Sequence, residues 1–181
     1  MWNPPADHPL RRLFAGVTEY TFQTRLGVAD PNLIDYLSVL LARFVHDDTI
    51  HRLKSGTGAR MTQVVDMVAE AEALPPEGRT RREVHRHIGD FALFWTGVYP
   101  EALAKLRSKA CKDYFVDYCA QGKRSYFIAS TFDDDESPVL RRLSDEFEMC
   151  AGLTEVRREW ERAAADAAAA GWKIVSYRTD E

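Results

Sequence analysis

Apolar residues recur at helical spacing along most of the chain, and the most regular run lies between Thr80 and Leu103. There Val84, Ile88, Phe91, Trp95 and Val98, with Phe94 on the flank, form one stripe when the chain turns about 100° per residue. Thr80 followed by Glu83 has the spacing of a capping box and predicts a helix start. Arg79, Arg82 and Arg86 fall roughly opposite the stripe and are expected to form a solvated face.

The same period divides the rest of the chain into helices. One is expected from Pro9 to about Leu26, with Leu10, Leu13, Phe14, Val17 and Thr21 inward. Asp30-Pro31 supplies an N-cap and a first-turn proline for a second, which buries Leu33, Leu37, Leu40, Leu41 and Phe44. A third spans Met61 to Leu74, with Val64, Val65, Val68 and Ala71 inward, and Pro75-Pro76 ends it. After the break at Gly97 and Pro100, a short helix passes through Leu103 and Leu106. Residues 110–132 then form another, whose apolar side is Tyr114, Phe115, Tyr118, Cys119, Tyr126, Ala129 and Phe132. Ser137-Pro138 opens a helix that turns Val139, Leu140, Leu143, Phe147 and Cys150 inward. Thr154 caps the last one, which runs through Val156, Trp160 and the alanines of 163–170 and stops at Gly171. Residues 1–9 make an extended lead-in, and the tail at 172–181 is expected to pack back. With no repeat and no linker, the pattern predicts a single all-α domain over 1–181, a bundle of seven or eight helices around one core.

Composition narrows the function classes. A chain of 181 residues is long enough to bury a core, and 45% hydrophobic with 29% charged residues is ordinary for a soluble globular protein. The net charge of −4 and a pI of about 5.8 argue against a nucleic-acid binder. No stretch approaches the roughly 20 apolar residues that cross a bilayer. Cys111, Cys119 and Cys150 are odd in number, widely spaced and outside any Cys-x-x-Cys pair, which predicts reduced thiols and a cytoplasmic location.

Candidate chemistry gathers at the edge of the central stripe. Glu83, His87 and Asp90 are separated by four and three residues, so their side chains are neighbours on one helix face, whereas His85 points elsewhere. The plain reading of His87 is a boundary histidine bonded to a carboxylate of its own helix; the sharper one is a metal ligand or general base. Asp47, Asp48 and His51 extend the second helix's apolar face if that helix continues, although a solvated loop is the preferred reading. If the two clusters met, they would form a polar pocket walled by Phe44, Phe91 and Phe94. His87, Asp90 and Phe94 are therefore the candidate ligand-binding residues, and His51, Asp48, His87, Glu83 and Asp90 the candidate metal ligands. Asp48-x-x-His51 has the spacing of a di-iron bundle motif with Asp in place of Glu, but the remaining glutamates of that pattern are absent. The glycine-rich stretch at 54–60 lacks a Walker pattern. The acidic run at 133–136 is expected to favour the following helix's N-terminus rather than a cation.

The stretch Gly89, Asp90, Phe91, Leu93, Phe94, Gly97, Pro100 and Glu101, with Tyr118, Gly122 and Ser125-Tyr126 downstream, resembles a family of bacterial helical proteins of unassigned function. The resemblance implies a single soluble domain and brings no activity with it. Aromatic residues exceed what helix packing needs, and no catalytic motif is present. The preferred function is therefore a non-enzymatic module without a cofactor that binds a small ligand, a partner protein or a second copy of itself. The alternative is a helical-bundle enzyme with a divalent metal at the His/carboxylate site.

Overall fold

In this computed structural model the described residues are 4–44, 61–101, 103, 113, 116–150 and 152–171. They form an all-α bundle with no strand among them. Its helices are α1 (Pro9–Arg25), α2 (Pro31–Phe44), α3 (Val64–Ala73), α4 (Arg79–Gly97), α5 (Tyr118–Ser130), α6 (Ser137–Asp145), the single turn α7 (Phe147–Cys150) and α8 (Leu153–Ala169). No helix among the described residues is long and apolar enough to cross a membrane.

The expected central helix is the middle of the molecule. From His87 to Phe94 every residue of α4 is buried, as are Arg82, Val84, His85 and Gly97. It packs most extensively along α5, with α3 and α2 on other sides; α6 covers α5, and α1 pairs with α2 and α8. Two glycines let α4 and α5 close up. A Cβ on Gly89 would lie 2.6 Å from the Tyr126 ring, and one on Gly122 would lie 2.5 Å from the Phe147 ring and 3.0 Å from the Ala92 methyl. The surrounding core is aliphatic and aromatic: Phe22, Leu33, Leu37, Leu40, Met67, Ile88, Leu140, Leu143 and Phe147 are all fully buried.

Local chemistry explains the boundaries. Asp30 caps α2 as expected, its Oδ1 accepting from the amides of Asn32 and Leu33 at 2.9 and 3.2 Å. Gly171, with φ +85°, ends α8 in the left-handed region as expected. The capping box of α4 does not form: Gly78 occupies the N-cap, and Glu83 is drawn to Arg82 at 2.6 Å instead. The helix expected over 110–132 begins only at Tyr118. Asp117 caps it there, accepting from the amides of Cys119 and Ala120. The N-terminus of α3 is satisfied from far along the chain. Asp113, itself buried, accepts from the amides of Val64 and Val65 at 2.8 and 2.9 Å and from the Tyr118 hydroxyl at 2.7 Å.

Several side chains turn differently from the expectation. In α1 the buried face is Phe14, Thr18, Thr21 and Phe22, with Leu13 outside. The two phenylalanines, eight positions apart, take the core and rotate Leu13 away from it. In α3 Met67 goes inward and Val65 outward. The arginine face of α4 is solvated only at Arg79, which is exposed. Arg82 is buried and Arg86 nearly so, because the loop between α5 and α6 lays Asp134 and Glu136 across them. The acidic run thus neutralises two arginines as well as standing before a helix: Asp134 Oδ1 also accepts from the Glu136 amide and the Ser137 hydroxyl. The lead-in at 1–3, the stretch 45–60 with Asp47, Asp48 and His51, the helix through Leu106, Cys111 and the tail at 172–181 lie outside the described residues.

Candidate functional site

Asp90, on the most buried face of α4, gathers three helices. Its Oδ1 accepts from the Tyr36 hydroxyl of α2 at 2.6 Å and the Tyr126 hydroxyl of α5 at 2.9 Å. Its Oδ2 accepts from Arg43 Nη2 of α2 at 2.9 Å. Neither Asp90 nor Arg43 is exposed beyond about a hundredth of its surface, so this is a desolvated ion pair completed by two phenols. The motif residues Gly89 and Asp90 act together. The glycine makes room for the Tyr126 ring, and the aspartate takes its hydroxyl.

The network continues to the surface through Arg86. Its Nε donates to the Tyr36 oxygen at 3.2 Å, its guanidinium lies 5.4 Å from the Tyr36 ring centre, and its Nη2 meets Glu136 at 3.0 Å. Burial disfavours its charge, but the Tyr36 oxygen and the Asp90 carboxylate outweigh that and hold its proton more firmly than usual. Burial, followed by the Asp90 charge, pushes the Tyr36 phenol well above its ordinary value. Beyond Tyr36 and Arg86 lies a polar cleft of about 380 Å³. Two ion pairs within the chain line it: Arg11 meets Asp35 at 3.2 Å, and Arg142 meets Asp30.

These contacts place the candidate residues. Asp90 serves Tyr36, Tyr126 and Arg43. Glu83 faces Arg82 and, at 3.9 Å, Arg86. His87 is buried, with its ring centre 6.0 Å from that of Phe44 and 6.5 Å from that of Phe91. Among the described residues no group of three His, Cys, Asp or Glu side chains could hold a metal ion. The other two candidate ligands, His51 and Asp48, lie outside the described residues. Tyr36 and Arg43 were not singled out in the sequence, although a signal existed. They stand seven residues apart on the leucine face of α2, two polar side chains in an apolar stripe.

Phe94 leads to a second feature, an aromatic cavity of about 230 Å³ between α1, α2, α4 and α8. Its wall is Phe14, Leu41, Phe44, Phe94, Trp95, Val98, Tyr99, Val156, Arg157 and Trp160. The rings interlock: Phe94 stands 5.0 Å from Phe44, 5.5 Å from Trp95 in an edge-on arrangement and 5.5 Å from Tyr99. Trp160 of α8 reaches Phe14 of α1 at 5.8 Å. The cavity backs onto the polar centre through Phe44, which touches both Phe94 and His87.

No family model, curated protein or solved structure matches this chain.

Proposed function

We propose that this protein is a non-enzymatic helical module that binds a small apolar ligand in the cavity between α1, α2, α4 and α8. The observation that carries the reading is that cavity: about 230 Å³ walled almost wholly by aromatic and aliphatic side chains. An apolar cavity of roughly 150 Å³ holds one benzene ring, so this one suits a body of one or two rings. The position of the aromatics favours a small ligand over a protein partner. Most face inward, and the large apolar side chains exposed among the described residues are Leu13, Tyr20, Val65 and Phe127, spread over three helices. The buried Asp90 network supports the same reading. Its polar atoms bond to one another, which suits a rigid wall behind the cavity better than a reacting centre.

Titration with neutral one-ring and two-ring aromatic amides tests this. Trp95 and Trp160 lie in the wall, so binding changes their emission. Val156→Phe, which fills the space from α8, abolishes the change while far-UV circular dichroism stays the same. Unchanged emission at millimolar probe, or binding indifferent to Val156→Phe, overturns the proposal.

A further inference from the structure

We infer that the ligand carries an anionic end, a carboxylate on its one- or two-ring body, received by Arg157; this rests on the cavity reading above. The argument comes from the polar atoms in the wall. Among the lining residues Arg157 is charged and no carboxylate is present. The indole Nε1–H of Trp95 is shut off from solvent and meets no acceptor among the described residues. The Nε–H of Arg157 is buried as well. It faces Glu161 Oε1 at 3.4 Å but is too poorly aligned to make a hydrogen bond. Neither nitrogen is open even to a water molecule, so the charged group that the wall can turn towards a ligand is the remainder of the Arg157 guanidinium, which cannot serve as an acceptor.

Arg157 is also placed to change partners. Its guanidinium lies 5.0 Å from the ring centre of Tyr99, which also lines the cavity. Its side chain is 15% exposed, whereas its partners Glu101, at 2.5 Å, and Glu161 are 61% and 57% exposed. Ion pairs with such solvated carboxylates are weak, so a carboxylate arriving from the drier side displaces them at small cost. The planar guanidinium then offers it a two-pronged hydrogen bond.

Calorimetric titration of the full chain at pH 7 with 3-phenylpropionate, its neutral amide 3-phenylpropionamide and the cationic 3-phenylpropylamine tests this. The carboxylate is expected to bind at least about tenfold tighter than the amide. Arg157→Gln brings the two to parity by weakening the carboxylate far more than the amide, and Arg157→Lys retains part of the preference. The double substitution Glu101→Gln with Glu161→Gln frees Arg157 and raises carboxylate affinity, a readout that survives if the Arg157 variants fail to fold. Equal binding of acid and amide overturns the anionic ligand and leaves the cavity reading standing. So does tightest binding of the amine, which assigns the site to Glu101 and Glu161, or no gain in the double variant. If none of the three binds, the cavity reading fails first and this one with it.

Discussion

His85 is the side chain whose environment departs furthest from its chemistry. It is 1% exposed, and neither ring nitrogen has a hydrogen-bond partner among the described residues. Burial, reinforced by Arg81 on its own helix and Arg124 on α5 against the weaker opposing pull of Glu72 on α3, lowers its pKa to about 4. The unfolded chain takes up this proton near pH 6.5, while the folded chain refuses it until about pH 4. Stability contributed by neutral His85 is therefore whole above pH 6.5 and falls as pH drops towards 4, by no more than about 3 kcal/mol. Urea unfolding of His85→Leu beside the unaltered protein isolates this from the carboxylates: the variant loses less stability between pH 6.5 and 4. Equal slopes would mean that the imidazole finds a partner on protonation. Periodicity had set His85 apart from His87 and Asp90, and the structure agrees. The burial of both histidines was not legible, because it depends on which helices cover α4, and those pairings join residues far apart in sequence. Asp90 was legible as a polar residue beside an apolar stripe. Its partners were not, since Tyr36 and Arg43 lie 54 and 47 residues away.

At the scale of elements, the contact between α4 and α5 is set by what Gly89 and Gly122 lack. Alanine is preferred to glycine within a helix by about 0.8–1 kcal/mol, whereas overpacking a filled core costs about 1–3 kcal/mol. At Gly89 the obstructing ring belongs to Tyr126, whose hydroxyl is tied to Asp90, so it cannot swing aside. Gly89→Ala is expected to destabilise by about 1–2 kcal/mol in denaturant unfolding, and Gly122→Ala in the same direction. Gly16→Ala in α1, where a Cβ would meet nothing within 4 Å, should instead stabilise by roughly half a kcal/mol or more. A stabilised Gly89→Ala would show that the two helices have room to spare. Helix existence was legible from period and caps: α1 runs from Pro9, α2 from the Asp30-Pro31 signal, and α6 from Ser137. The errors lay at ends decided by remote or competing groups. Asp113 caps α3 from 49 residues away, and Gly78 displaced Thr80 as the N-cap of α4.

For the molecule as a whole, the all-α architecture and its central helix followed from local periodicity. The cavity did not, because it is built from four helices whose angles no single stretch encodes. Of the candidate ligand-binding residues His87, Asp90 and Phe94, Phe94 lies in its wall, although the sequence had assigned it to a polar pocket beside the other two. The buried phenol of Tyr36 has a consequence for how the whole bundle fails in alkali. Its proton leaves the folded protein only well above the ordinary tyrosine range, while the unfolded chain releases it near pH 10. Stability from the neutral phenol is complete below pH 10 and drains away as pH rises beyond it. In a spectrophotometric alkaline titration, the step belonging to Tyr36 should coincide with loss of helical circular dichroism and vanish in Tyr36→Phe. Phenolate absorbance would then report the moment the bundle opens, with no label attached.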